Sequence, residues 1–314
     1  MSIKDHCIAV GLIVWNGEKT IRYSLESILK QTHKNLIVYI LDNQSTDSTQ
    51  RIIQDITEVD NRVRLIVDSQ NRNVADAQRY IFENYMIQSE FCMFACDDDF
   101  YEPSFIRVVL DKLINENLDL VYTSHYSIDS VTNRKTYVKS SLVYSLFHSS
   151  FINSCRFLLF RNCVPIFFGI YKTNSLSSSM RHFKLFDSSG FNHENLMLFD
   201  FLLKSKVGFI YDALFGYLSK ERIELYRKRG YLFSRNDVLY MPLIFIHQFN
   251  FSRQIYQIVV SNNLNYYKKL FLFFIIVLAY PKYTILVIIR ALPIKIYSSV
   301  SFFLKKLNFH FGAS

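Results

Sequence analysis

Five short apolar runs punctuate the first 125 residues, and the segments between them carry apolar residues at a spacing of three and four. Cys7 to Val14, Leu36 to Leu41, Arg64 to Val67, Phe91 to Ala95 and Leu118 to Tyr122 read as strands. Thr20 to Lys30 places Ile21, Leu25, Ile28 and Leu29 on one helical face. Ser45 to Ser48 offers caps for a helix bearing Ile52, Ile53 and Ile56. Val74 to about Gln88 reads as a third helix, and Pro103 opens a fourth near its first turn. Strands this apolar are buried on both faces, and strands alternating with helices give a mostly parallel sheet covered on both sides. The expected class is therefore α/β.

Three carboxylates, Asp97, Asp98 and Asp99, follow the fourth apolar run directly. Like charges this close repel unless they are solvated, protonated or bound to a cation. Oxygen-only ligands suit a hard divalent ion, Mg²⁺ or Mn²⁺. The carboxyl end of a strand in such a sheet is also where ligands bind. No glycine-rich phosphate loop follows the first strand, since Asn16-Gly17-Glu18 matches neither GxGxxG nor a Walker A sequence. A dinucleotide-binding enzyme and a P-loop NTPase are disfavoured, and nucleotide phosphates are expected to be held through a metal.

Charge divides the chain. Residues 220–314 carry 14 Lys and Arg against Glu221, Glu224 and Asp237, a net of +11, so the overall +9 leaves −2 for residues 1–219. We expect a catalytic domain over 1–219 and a helical, basic and apolar region over 220–314. The polar start, Met1 to His6, does not read as a secretory signal. Five cysteines without paired CxxC spacing point to free thiols in a reducing compartment.

Cys7 to Asn16, Ser24 to Thr32, Leu41 to Asp47, Asn71 to Ala75 and Asp97 to Pro103 together resemble family 2 glycosyltransferases, in the family's order and spacing, across about residues 5–220. Cys7 to Asn16 resembles the family's opening strand, and Ser24 to Thr32 its first helix with the closing Gln31-Thr32. Leu41-Asp42-Asn43-Gln44-Ser45-Thr46-Asp47 resembles the Asp-Asp-Gly-Ser-Thr-Asp segment, and Asn71 to Ala75 the stretch before the third helix. Asp97-Asp98-Asp99-Phe100-Tyr101-Glu102-Pro103 resembles the DXD motif with its trailing proline. This chain departs from the family at Ile13, where a proline is usual, and at Asn43 and Gln44, which replace Asp and Gly.

The resemblance implies the GT-A fold, a Rossmann-like sheet with helices on both faces, and a nucleotide-sugar donor. It implies that Asp42 hydrogen-bonds the donor's base, with Val14, Trp15, Asn16, Asp76 and Asp97 on the donor side. It implies that Asp98 binds the metal, with Asp99 beside it. A general base must take the acceptor hydroxyl's proton. The family carries an acid at a helix start about eleven residues before a Gly-Lys, and eleven residues before Ser205 is Glu194. Its neighbour His193 orients the acceptor or serves as base instead. Pro165 to Lys172 resembles a segment on the floor of the acceptor side, and residues 126–190 are expected to hold the acceptor.

The apolar stretch 270–289 is broken by Pro281 and Lys282 near its middle. Each half is too short to span a bilayer, and a central lysine is costly there. An interfacial helix or shallow hairpin facing anionic lipid is expected, on the cytoplasmic face of the inner membrane, with a helix pair packed on the catalytic domain and a true span as the alternatives. The long aliphatic runs suit lipid better than bases, so nucleic acid is not expected as a partner. The expected acceptor is a saccharide or lipid-linked saccharide in surface polysaccharide assembly. The rival readings are an inactive nucleotide-sugar-binding protein and a nucleotidyltransferase.

Overall fold

The computed structural model describes residues 5–129, 132, 134–137, 151–152, 154–155, 164–182, 193–218 and 253–276. The chain forms two compact units, Met1–Leu225 and Tyr226–Ser314.

The first unit begins as the alternation requires. Strands β1 (Ile8–Val14), β2 (Leu36–Asp42), β3 (Val63–Val67) and β4 (Phe91–Cys96) are joined through helices α1 (Ile21–Leu29), α2 (Thr49–Thr57) and α3 (Val74–Ile81). All adjacent pairs among these strands are parallel, in the order β3-β2-β1-β4. Ile8, Ala9, Val10 and Leu12 of the central β1 are fully buried, the result of helices covering both faces.

The remaining elements are β5 (Asp99–Tyr101), α4 (Phe105–Asn115), β6 (Leu120–Ile128), β7 (Lys135–Tyr137), α5 (Val164–Phe167), β8 (Ile170–Lys172), α6 (Thr173–Met180), α7 (His193–Lys204) and β9 (Val207–Leu218). The sheet continues from β4 through β8, β6 and β9 to β5, with β7 on β6. Here the pairing is mixed. β8 lies antiparallel between β4 and β6, β9 is parallel to β6, and β5 is antiparallel to β9.

Two elements differ from expectation for identifiable reasons. The third helix ends its α geometry at Ile81 and makes one π turn, Phe82–Met86, closed by Ile87 N–H donating to the Phe82 carbonyl at 3.0 Å. Met86 is thereby buried against Gly11 of β1, where any side chain would collide with its sulfur. The fifth strand runs on to Ile128 because β9 pairs along its length, with a register shift at Thr123–His125. The segment resembling an acceptor-side floor ends in β8. Lys172 pairs with Phe91 at the opening residue of β4, and its ammonium donates to Asn117 Oδ1 at 2.7 Å.

Among the described residues Cys7, Cys92, Cys96 and Cys155 are free thiols. Burial pushes Cys92 up to about 12, so it stays protonated and inert. In the second unit residues 253–261 and 266–276 are helical. No helix among the described residues is long and apolar enough to cross a membrane. The expected acceptor segment 126–190 lies partly outside the described residues. So do the expected boundary at 219/220 and residues 277–289 of the apolar stretch.

Candidate active site at the carboxyl edge of the sheet

Parallel registry brings the ends of four strands into one row. Val14 of β1 pairs with Asp42 of β2, Asp42 with Val67 of β3, and Ile13 with Cys96 of β4. Trp15 and Asn16, Asn43, Asp68, and Asp97 and Asp98 therefore leave the sheet at the same edge. This is the edge where open α/β sheets bind ligands. Val14 is buried, and Trp15 is 38% exposed.

Asp42 is wholly buried. One oxygen, Oδ2, accepts from Gln50 Nε2 at 2.6 Å and from Ser45 N–H at 3.2 Å. The other, Oδ1, is buried without a hydrogen-bond partner. A buried polar atom left without a partner costs about 1–3 kcal/mol, more when it is charged, and calls for a partner such as an ordered water or a ligand.

The loops leaving β1 and β2 are stitched together. Asn16 adopts φ 53° and its Oδ1 accepts from Thr46 N–H at 2.8 Å. Its own N–H donates to Ser45 Oγ, and the Gly17 N–H to Thr49 Oγ1, both at 2.8 Å. A Cβ on Gly17 would stand 2.6 Å from both Asp97 Oδ2 and Val14 Cγ2, so only glycine fits there. Asp47 binds Glu18 N–H and Thr49. Burial alone would raise its carboxyl, but the Thr49 hydroxyl and those backbone N–H groups hold it below the usual range.

Asn43 explains one departure from the family pattern. Its Oδ1 accepts from Arg72 N–H at 2.9 Å, and its Nδ2 donates to the Arg72 carbonyl at 2.8 Å. Only an amide can both give and take in this way, and an aspartate would face that carbonyl with a second acceptor. The Arg72 guanidinium lies 4.2 Å above the Tyr80 ring and pairs with the buried carboxylate of Asp68. Asp76 is the acid of a capping arrangement. Its N–H donates to Asn73 Oδ1 at 2.9 Å, while its carboxylate accepts from Asn73 Nδ2 at 2.7 Å and lies 3.4 Å from Arg79.

The acidic triplet divides. Asp97 and Asp98 occupy the turn after β4, and Asp99 opens β5 with 1% exposure. Asp99 Oδ2 accepts from Cys96 N–H at 2.9 Å, closing the turn on itself. Asp97 Oδ2 accepts from Thr20 Oγ1 at 3.1 Å. Among the described residues no three His, Cys, Asp or Glu side chains converge into a cluster able to hold a metal alone.

A polar stripe holds this turn in place, and the sequence reading passed over it. Thr20, Ser24, Ser27 and Gln31 lie on the buried side of α1 and its flanks. Ser24 Oγ donates to the Cys96 carbonyl at 2.8 Å, and Ser27 Oγ accepts from Tyr101 N–H at 3.2 Å. Gln31 is fully buried. Its Nε2 donates to the Glu102 carbonyl at 2.8 Å and its Oε1 accepts from Ile106 N–H at 2.9 Å, in the first turn of α4. The available signal was four hydrogen-bonding residues spaced four, three and four apart on a face that otherwise reads as core. Gln31→Leu leaves that carbonyl and N–H buried without partners. We expect it to lower stability by about 1–3 kcal/mol, read as a lower urea midpoint at unchanged slope.

Glu194 stands in the first turn of α7, partly buried, directly after His193 at the helix start. The helix is anchored from below. Asp200, fully buried, accepts from Ser179 Oγ of α6 at 2.7 Å and pairs with Lys204 at 2.6 Å. Leu196, Phe199 and Phe201 are buried around it. Glu194 is thus presented by a helix and not by one of the four strands of the edge row.

The description "Glycosyl transferase family 2" fits residues 9–175, more than half of the chain. The chain belongs to glycosyltransferase family 2. Among this family-2 protein's relatives, the glycosyltransferase GlyG of Streptococcus pneumoniae is 26% identical over 224 residues, 67% of this chain and 70% of the relative. GlyA of the same organism is 26% identical over 125 residues, 40% of this chain and 18% of GlyA. An Escherichia coli enzyme, UDP-Glc:alpha-D-GlcNAc-diphosphoundecaprenol beta-1,3-glucosyltransferase WfgD, is 22% identical over 126 residues, 40% of this chain and 48% of WfgD. The chain thus spans well under two thirds of GlyA and WfgD. The crystal structure of Staphylococcus aureus TarS 1–349 with UDP-GlcNAc shares the fold, with a TM-score of 0.62 at 16% identity over 83% of this chain and 69% of that one. The likeness to TarS bears out the expected GT-A fold.

Proposed function

We propose that this family-2 protein is an inverting, divalent-cation-dependent glycosyltransferase. It moves a sugar from a uridine-diphosphate-linked donor to a hydroxyl of a saccharide or lipid-linked saccharide during surface polysaccharide assembly. The observation that carries the reading is the buried, unpartnered Oδ1 of Asp42 at the strand edge. Gln50 and Ser45 already fill Oδ2. One carboxylate oxygen remains for one N–H donor, which suits a uracil edge with its single ring N–H. A guanine edge offers two adjacent N–H groups and calls for both oxygens. Support also comes from TarS, solved with UDP and with UDP-GlcNAc, and from the UDP-Glc named for WfgD.

Asp98, on a turn with oxygen donors only, would hold a Mg²⁺ or Mn²⁺ ion. An ion bound there would supply positive charge toward the departing nucleoside diphosphate. Asp97, held by Thr20, lies on the donor side, and Trp15 flanks the base. Asp99 braces the turn from inside. Glu194 takes the proton from the attacking hydroxyl, and His193 orients the acceptor. The catalytic part lies within residues 1–219. Residues 220–314 hold the protein at the cytoplasmic face of an anionic membrane, where a lipid-linked acceptor is found.

A thermal-shift comparison of UDP, GDP and ADP with Mn²⁺ tests the donor assignment. UDP at a hundred times its Kd stabilises the native state by about 2.7 kcal/mol. We expect a rise in Tm of several degrees with UDP, little with GDP, and loss of the UDP effect in Asp42→Ala. An equal response to GDP would overturn the uridine assignment.

A further inference from the structure

The second unit contains a helix whose exposed side is the apolar one. In the helix spanning 266–276, Tyr266, Tyr267, Leu270, Phe271, Phe273 and Phe274 are exposed, between 40% and 79%. At 3.6 residues per turn these six fall on one continuous arc about 160° wide. Leu272 and Ile275 lie outside that arc and are buried. The helix therefore has two apolar sides, one packed and one open to solvent. Isolated exposed apolar residues are ordinary, but six on one arc are not.

The open face continues onto the preceding helix, 253–261. Tyr256 and Val260, four residues apart, are each 49% exposed, and the Tyr256 ring meets the Phe273 ring edge-on at 6.2 Å. The turn between the helices is fixed. Lys268 N–H donates to Asn265 Oδ1 at 2.9 Å, capping the second helix, and Lys269 Nζ donates to the Val260 carbonyl at 2.9 Å. The aromatic face is thus held on a braced helical pair.

We propose that this face is a membrane-insertion surface, and that its occupant is the headgroup–acyl boundary of an anionic lipid bilayer. Charge selects this occupant. Residues 253–276 include Arg253, Lys268 and Lys269 and no acidic residue, and no Asp or Glu occurs anywhere in 238–314. Tyrosine and phenylalanine flanked by lysine are the side chains that settle at a bilayer interface, rings in the acyl boundary and ammonium groups on phosphates. A second copy of this chain would bring the same positive charge against itself, which disfavours self-association. This proposal rests on the membrane placement given above for residues 220–314, and flotation reads binding without transfer, so its outcome is separate from that of the catalytic reading.

The test is vesicle flotation of the full chain at low and at high salt. The vesicles are phosphatidylcholine alone or phosphatidylcholine mixed with phosphatidylglycerol. We expect the wild-type chain to float with the anionic vesicles and to be released in part by salt. The double variant F271S/F274S should reduce partitioning at least tenfold. Lys268→Glu should reduce it at least about fivefold, and only on anionic vesicles. Unchanged thermal melting of the double variant, followed by circular dichroism, confirms that the loss is one of surface and not of fold. Equal flotation of wild type and F271S/F274S would overturn the proposal. So would a wild-type chain that ignores vesicles but forms a dimer that F271S/F274S abolishes, since the face would then belong to a second copy.

Discussion

Replacing Glu194 with Gln is expected to lower turnover of the nucleotide-sugar donor by about 10²–10⁴-fold, the usual contribution of a positioned general base. Gln keeps the size and hydrogen-bonding reach of the side chain and loses only its capacity to accept a proton. Glu194 sits in the first turn of α7, where the helix dipole also favours a negative charge. That alternative role predicts a different result. Loss of a dipole interaction costs about 0.3–1 kcal/mol of stability and leaves the rate alone. The decisive comparison sets kcat beside the UDP-dependent rise in Tm for the same variant. A large fall in kcat with donor binding intact identifies the base. A variant with wild-type kcat would return the base assignment to His193.

The second large effect is expected from the turn after β4. Asp98→Ala should reduce transfer about 10³-fold, corresponding to several kcal/mol of lost charge stabilisation at the leaving diphosphate. It should also erase the difference between UDP binding with and without Mn²⁺. Asp99→Ala should behave otherwise. Its carboxylate is buried and accepts from Cys96 N–H, so its loss loosens the turn and lowers Tm, while a Mn²⁺ response persists. If Mn²⁺ dependence vanished in Asp99→Ala and survived in Asp98→Ala, the ligand assignment would be reversed.

These two variants also separate what could be read in the residues from what could not. Asp42, Asp97 and Asp98 were legible because each ends or follows an apolar strand, and parallel strands align their carboxyl ends. The different duty of Asp99 was not legible. Three identical neighbours in sequence become a solvent-side pair and a buried brace only when β5 pairs with β9, more than a hundred residues later. Gln50 and Asn43 were passed over, or noted only as a departure, for a similar reason. Their partners are Asp42 Oδ2 and the Arg72 backbone, and neither pairing leaves a periodic trace.

By itself the sequence determined the parallel half of the sheet, the helices that cover it and the edge at which the acids gather. Those features follow from local periods of two and 3.6 residues and from charge, which each segment carries on its own. Tertiary structure alone decided the antiparallel insertion of β8, the length of β6, the π turn over Gly11 and the partners of the polar stripe from Thr20 to Gln31. It also decided which side of the 266–276 helix is open, since the aromatic arc is exposed while Leu272 and Ile275, on the side that also carries Lys268 and Lys269, are buried. Each of these depends on which distant backbone group or side chain arrives opposite. That is a property of packing between segments, and no single segment encodes it.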